Sequence, residues 1–256
     1  MASNNMAYAA VQNSRPQFYF YAAIGTVLTA FLGFTPTYFS PLVRGSFNAH
    51  PIIHLHGIVF FSWTVYFAFQ TWLVADNRTV RHRDVGLLGI SMATAMLFLG
   101  LMAAVDSAKR AAAAGFAQDG IRFMIVPAGG VKMFALLVGL AIFFVKNKEL
   151  HKRLMLIATA SILDAAIARL FITFFAPPPV PGASPVPPLF VTTPPALLAD
   201  LFIVAGLIYD WRTRGRVHPV YFFAGGAVLA VHLGRVPLAD SQIWNGTAPW
   251  LLHIAG

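Results

Sequence analysis

Residues Val85–Val105 read VGLLGISMATAMLFLGLMAAV and contain no ionisable side chain. A run of about 20 mostly apolar residues is long enough to cross the hydrocarbon core of a bilayer as a helix. The whole chain shares this character, since 58% of its 256 residues are hydrophobic and only 11% are charged. A soluble globular domain carries about 25% charged residues. The sequence therefore predicts an integral membrane protein and excludes a soluble or disordered chain.

Seven segments of this kind follow one another and predict seven transmembrane helices. The predicted spans are 18–39, 53–75, 85–105, 123–145, 154–175, 189–209 and 220–238. The polar lead before the first span contains one basic residue, Arg15, and the apolar run after it has no small-residue cleavage pattern, which favours a helix over a cleaved signal. We predict an all-α polytopic membrane protein in which residues 1–256 form a single transmembrane domain.

The basic residues lie in alternate loops and predict the orientation of the chain. Lys and Arg are enriched in loops that stay in the cytoplasm. Eleven of the 18 precede the first span or follow the second, fourth and sixth spans, whereas only four lie in the loops on the other side. This bias predicts a multi-pass protein of the bacterial inner membrane, with its N-terminus cytoplasmic and its C-terminus outside. It also explains the net charge of +9 without a nucleic-acid partner, so the expected surrounding partner is the lipid bilayer.

Three of the basic loops repeat one arrangement, a short basic turn, a histidine and the start of a helix. They read NRTVRHRDVGLLG (77–89), KNKELHKRLMLIA (146–158) and RTRGRVHPVYFFAG (212–225), with histidines His82, His151 and His218. Near-constant spacing of similar segments indicates an internal repeat. We predict one leading helix followed by three parallel helical hairpins, 53–105, 123–175 and 189–238. The hairpins would bring the three histidines to one membrane surface, as ligands or as interfacial anchors.

Parts of the chain resemble known groups of membrane proteins. The stretches HLHGIVFFSW (54–63), HKRLMLIATASILDAAIARL (151–170) and GRVHPVYFFAGG (215–226) resemble a group of uncharacterised bacterial polytopic membrane proteins. The phrase HKRLM (151–155) is similar to a helix start in small membrane proteins that assemble haem-copper oxidases. This resemblance implies subunits of the respiratory chain or of another membrane complex as partners. It supplies no catalytic mechanism, so whether the protein is an enzyme stays open.

The seventh span has a histidine spacing that resembles b-type cytochromes with two haems across the bilayer. His218 and His232 are fourteen residues apart, which places them on one helix face about 21 Å apart along the axis. Haem b iron takes one or two axial ligands, and two histidines suit electron transfer. The second span has Gln70 where a further spaced histidine is needed, so one haem or none is favoured over two.

This hypothesis assigns a role to each candidate residue. His218 would share a haem with His82 or His151, and His232 would share one with His54 or His56. Arg169 and Arg235 would receive the haem propionates through charge-assisted hydrogen bonds. The cofactor-binding candidates are therefore His56, His82, His151, His218, His232, Arg169 and Arg235.

A second group of histidines lies at the start of the second span, where residues 50–56 read HPIIHLH. His50 and His54 share a helix face if Pro51 begins the helix, and histidine is a common metal ligand. We therefore consider a Zn or Cu site formed by His50, His54 and His56. The alternative is that these histidines are interfacial or only hydrogen-bonded. The chain has no Cys, which excludes a Cys-ligated metal site.

Charged residues inside the predicted spans are costly in lipid and are usually paired and functional. Lys132 and Asp164 lie sixteen residues on either side of Lys148, so they have the same depth in the fourth and fifth spans. We predict an ion pair between them near the membrane centre. Asp200 is also central, about 13 Å from the end of the sixth span.

These features support three functions of different classes. The first is an inner-membrane protein that binds haem b or another His-ligated redox cofactor and acts in electron transfer or oxidase maturation. The second is a proton-coupled transporter with a midplane site that includes Lys132, Asp164 and Asp200. The third is a non-catalytic membrane scaffold without a cofactor, in which the charges only hold the helices together.

Overall fold

The computed structural model describes residues 17–178 and 180–254, and all regular secondary structure in these ranges is helical. Seven helices are long and apolar enough to cross a membrane. They are α1 (Gln17–Val43), α2 (Pro51–Ala75), α3 (Thr79–Ala113), α4 (Ala117–Phe143), α5 (Lys148–Phe175), α6 (Leu189–Arg214) and α7 (Tyr221–Ala239). A further helix, α8 (Gln242–Ile254), follows α7. The prediction of an all-α, seven-helix polytopic membrane protein is thus confirmed, while Arg15 lies outside the described residues.

Several helices begin earlier than the apolar pattern predicts, because their polar ends are helical too. The basic segment Thr79–Asp84 forms a first part of α3, and after Val85 the helix continues from Gly86 to Ala113. Helix α5 begins at Lys148, where the side chain of Asn147 accepts a hydrogen bond from the backbone N–H of Leu150 at 3.2 Å. Such a cap satisfies a backbone donor that the first helical turn leaves free. Hydropathy locates only the part of a helix that lies in lipid.

Helix α5 lies at the centre of the bundle and contacts α1, α4, α6 and α7. The crossing with α1 is very close, because a Cβ atom at Gly33 would collide with the backbone carbonyl of Ala166. The main core combines side chains from α2, α4, α5 and α7, among them Trp63, Phe134, Ile157 and Val228. Many large apolar side chains face outward, as expected for a surface that a bilayer covers.

The two ends of the bundle differ. The basic end is formed by the turns around residues 76–78, 144–147 and 215–220, and the opposite end is closed by α8. At the opposite end, Trp244 donates a hydrogen bond from Nε1 to the carbonyl of Ile121 at 2.9 Å. Gln118 also bonds to Asn245 at 3.0 Å. These contacts hold α8 against the ends of α3 and α4.

Helices α5 and α6 are both interrupted near their middle. In α5 the α-helical hydrogen bonding ends at Ala160 and resumes at Asp164, the seventeenth residue of a 28-residue helix. In α6 it is interrupted at Asp200, the twelfth residue of 26. The predicted spans 154–175 and 189–209 run through both positions, and neither interruption contains Pro or Gly. Each interruption instead carries an aspartate.

Candidate functional site

A buried ionic cluster lies where the two interrupted helices meet α7. It consists of Asp164 on α5, Asp200 on α6, and His232 and Arg235 on α7; we call it the central cluster. Because His232 and Arg235 are three residues apart, their side chains leave α7 on the same face. Charged groups in the interior of a membrane protein are costly unless they are paired, and they commonly mark substrate or proton pathways.

Each aspartate of the central cluster is paired with one base of α7. Nδ1 of His232 lies 3.1 Å from Oδ2 of Asp200. Nη1 of Arg235 donates to Oδ2 of Asp164 at 2.8 Å. Nη2 of Arg235 also donates to the backbone carbonyl of Thr192, at the beginning of α6. The side chains of His232 and Arg235 are each only 3% exposed. Their polar groups therefore bond to the aspartates in place of water.

Two polar atoms of the central cluster have no partner in the described structure. They are Oδ1 of Asp200 and Nε of Arg235, and both are buried. A buried polar atom without a hydrogen bond costs about 1–3 kcal/mol. Such atoms are expected where a site has capacity to bind a further group, including a proton or a water molecule.

The charges of the central cluster do not cancel when its histidine is neutral. Asp164 and Asp200 carry two negative charges and Arg235 carries one positive charge, which leaves a net charge of −1. An uncompensated charge is expensive in a low-dielectric interior.

Comparisons with known proteins do not supply a function. No family model, no curated protein and no solved structure matches this chain. The functional argument therefore rests on the geometry of the described residues.

The predicted ion pair between Lys132 and Asp164 is wrong. Asp164 pairs with Arg235, whereas Lys132 lies on an exposed face of α4. Equal depth along two neighbouring helices, which the sequence analysis used, does not fix the direction in which each side chain points. The rotation of each helix about its axis decides the partner, and here α7 supplies it. Asp200 is central as predicted, although its interaction with His232 was not foreseen.

Two of the three repeated histidines lie together at the basic end. The ring centres of His82 and His151 are 6.4 Å apart. The third, His218, has a different environment: its backbone N–H donates to Oδ2 of Asp210 at 3.2 Å, and its Nδ1 accepts from the N–H of Val220 at 3.2 Å. His218 does not pair with His82 or with His151, although the haem hypothesis predicted such a pair. The pair is His82 with His151.

The other half of the predicted haem arrangement is also different in the structure. His232 pairs with Asp200 and not with His54 or His56. Both terminal nitrogens of Arg235 are bonded within the protein, Nη1 to Asp164 and Nη2 to the carbonyl of Thr192. The guanidinium of Arg169 lies over the ring of Phe34, 5.6 Å from its centroid.

The three histidines of the predicted Zn or Cu site point to different neighbours. Nδ1 of His50 lies 3.9 Å from Asp106. Nδ1 of His54 is hydrogen-bonded to the hydroxyl of Tyr38 at 3.1 Å. The ring of His56 stacks on Phe60 with 4.0 Å between centroids, and its buried Nδ1 has no hydrogen-bond partner. Within residues 17–178 and 180–254, no three His, Asp or Glu side chains converge as a possible metal site.

Sequence reasoning missed a second buried ion pair, at the basic end. Arg153 donates from Nε to Oδ2 of Asp210 at 2.7 Å and from Nη2 to Oδ1, and both side chains are fully buried. Arg153 also donates to the carboxylate of Glu149 at 2.7 Å, and Glu149 contacts Arg214 as well. The sequence analysis assigned Arg153 to a loop. The available signal was Asp210, a single acid next to the basic residues that end α6.

Proposed function

We propose that the protein is a proton-coupled membrane carrier and that the central cluster is its proton-binding site. The observation that carries the proposal is the pairing of two acids, each at an interruption of a membrane helix, with two bases on α7. In transporters, interrupted helices meet near the bilayer midplane, where unwound backbone and charged side chains form the substrate and ion site.

The backbone at the interruptions keeps hydrogen bonds within its own helix: the N–H of Asp200 donates to the carbonyl of Ala196 at 3.0 Å, and the N–H of Ser161 donates to the carbonyl of Ile157 at 3.0 Å. Residues Ser161–Leu163 separate the two parts of α5, and Asp200 separates the two parts of α6. In lipid, irregular backbone is tolerated only where protein or an aqueous cavity satisfies it. Ser161 donates from its hydroxyl to the carbonyl of Ala158 at 2.8 Å, and Thr159 accepts from Nε1 of Trp63 at 3.3 Å. These hydroxyl groups lie beside the interruption of α5 and satisfy polar groups there inside the protein.

Coupling follows from the charge of the cluster. With one proton bound the cluster is neutral, and without it the cluster carries a net charge of −1. A conformation that exposes the cluster to water tolerates that charge better than one that buries it, so proton binding and release would shift the equilibrium between the two. The charge bias of the loops supports an orientation with the basic end in the cytoplasm.

The test is proton movement into proteoliposomes. Purified protein is reconstituted into liposomes that contain a pH-sensitive dye. A membrane potential is imposed with potassium and valinomycin, and a panel of small solutes is then added outside the liposomes. We expect solute-dependent acidification in the wild type and at least a tenfold slower rate in Asp200→Asn and in His232→Gln. Asp240→Asn is the matched control, because Asp240 pairs with Arg122 at an exposed position. Acidification that is unchanged in both cluster variants would contradict the proposal.

A further inference from the structure

The pair formed by His82 and His151 is a second site, and it lies outside the central cluster. His82 is in the first helical segment of α3 and His151 is in the first turn of α5. Their rings are half-buried at the basic end, with centres 6.4 Å apart and planes inclined by 76°. The two residues occupy equivalent positions in the first and second copies of the repeat.

A chain of hydrogen bonds fixes the tautomer of His82. The hydroxyl of Tyr66 donates to the carbonyl of Val85 at 3.0 Å, because a carbonyl can only accept. The same hydroxyl then accepts from Nε2 of Gln70, which turns Oε1 of Gln70 toward His82. Nδ1 of His82 lies 2.7 Å from that oxygen and must carry the proton. In neutral His82 the lone pair is therefore on Nε2.

His151 is held in the same tautomer by a different helix. Its Nδ1 lies 2.8 Å from the backbone carbonyl of Ala141, near the end of α4. That carbonyl has no proton to give, so Nδ1 donates and Nε2 keeps its lone pair. Neither Nε2 atom has a hydrogen-bond partner among residues 17–178 and 180–254. Each of the two neighbouring rings thus keeps one unprotonated nitrogen.

We propose that His82 and His151 bind one transition-metal centre through their Nε2 atoms. A histidine ligand typically donates its other ring N–H to a carbonyl or carboxylate, which fixes its orientation and tautomer; Gln70 and Ala141 have that role here. A bond from a metal to an imidazole nitrogen is about 2.0 Å long, and the centre of the imidazole ring lies about 1.1 Å behind that nitrogen. Two imidazoles that bind a metal from opposite sides therefore have ring centres about 6.2 Å apart. The ring centres of His82 and His151 are separated by nearly this distance, 6.4 Å.

The charges near the pair do not select one kind of metal centre. His82 is flanked by Arg81 and Arg83, and His151 is followed by Lys152. Lys152 is paired with Glu149 at 2.9 Å, and Asp84 follows Arg83, so part of this positive charge is compensated. Two trans imidazoles are also the ligand set of a haem iron that transfers electrons. The ligand chemistry is the same for a bare Cu or Zn ion, which the experiment distinguishes.

The test uses the full-length protein, purified in detergent from cells supplied with a haem precursor, copper and zinc. Absorption spectra of the oxidised and dithionite-reduced protein are combined with metal analysis of the same sample. We expect about one metal per chain. A Soret band that sharpens on reduction identifies haem iron, and bound Cu or Zn without such a band identifies a bare ion. Both results support the proposed site if binding depends on the two histidines.

Matched variants decide whether the site is the one proposed. His82→Ala and His151→Ala should each lower metal content at least tenfold, and Gln70→Leu should weaken binding about 10- to 100-fold through loss of the hydrogen bond to His82. His218→Ala is the control from the third copy of the repeat and should keep full occupancy. Thermal melting of each variant excludes simple misfolding. A wild type that binds neither haem nor added metal, or binding that persists in the double histidine variant, would overturn the proposal. Asp200→Asn should bind metal normally, so this site and the proposed carrier function can fail separately.

Discussion

Asp164 and Arg235 form an ion pair of 2.8 Å at the point where α5 resumes after its interruption. The pair joins α5 to α7 across a buried site, and Arg235 also bonds to the start of α6 through Thr192. Removal of one partner leaves the other charge buried and uncompensated, which costs about 3–5 kcal/mol.

This pair leads to a first prediction about stability. Asp164→Ala should lower the thermal stability of the detergent-solubilised protein clearly, and Asp164→Ala combined with Arg235→Met should restore part of the loss. Lys132→Met is the matched control and should change the free energy of unfolding by no more than about 0.5 kcal/mol, because Lys132 is exposed. Stability loss in Lys132→Met comparable to that in Asp164→Ala would show that the partner is assigned incorrectly.

The contact between α1 and α5 leads to a second prediction. Gly33→Ala places a Cβ atom against the backbone carbonyl of Ala166, which cannot move away as a flexible side chain can. We expect destabilisation of about 1–3 kcal/mol, measured by thermal or denaturant unfolding. Gly139→Ala is the control, since a Cβ there meets nothing within 4 Å. Equal effects of the two substitutions would argue against the close crossing.

The buried pair of Arg153 and Asp210 leads to a third prediction. Asp210→Ala removes two hydrogen bonds from a guanidinium that is fully buried, and Glu149 is left as its remaining carboxylate partner. We expect a loss of about 3 kcal/mol in unfolding free energy. In Asp240→Ala the lost partner is Arg122, and both side chains are exposed, so the loss should stay below about 1 kcal/mol. A smaller loss of unfolding free energy in Asp210→Ala than in Asp240→Ala would contradict this prediction.

His218 leads to a prediction about pH. Burial, and then the positive charge of Arg153, lowers the pKa of His218 below its ordinary value of 6.5. The folded state therefore favours the neutral imidazole, and the unfolded state takes up a proton first as the pH falls below about 6.5. The stabilising contribution is present above that pH and is lost as the pH falls toward the lower folded-state pKa.

The measurement is the melting temperature of the wild type and of His218→Gln at several pH values between 8 and 5. The wild type should lose more stability than the variant as the pH decreases through this range. Parallel curves for the two proteins would contradict the assigned direction of the pKa shift.

The seven-helix fold could be predicted from sequence because each transmembrane helix is an apolar segment long enough to cross the bilayer. The run Val85–Val105 is one clear example. The residues of the central cluster could also be recognised, since Asp164, Asp200, His232 and Arg235 are polar in apolar segments. Their partners could not be deduced. Pairing depends on which helices are neighbours and how each is rotated, and a single sequence records neither. For the same reason the sequence predicts His82, His151 and His218 at one membrane surface but does not indicate which two are neighbours.

The interruptions of α5 and α6 could not be predicted for a different reason. Pro and Gly indicate local breaks in a helix, and neither is present at Ser161–Leu163 or at Asp200. The aspartates at these breaks instead make tertiary contacts with the bases on α7. Sequence patterns describe local preferences and do not include such contacts.

The position of both bases on one face of α7 has a mechanical consequence. Any rotation or sliding of α7 relative to α5 and α6 separates His232 from Asp200 and Arg235 from Asp164 in the same movement. Under the proposed carrier function, one movement of α7 would break both ion pairs together, so the two contacts would act as a single lock rather than as two independent ones.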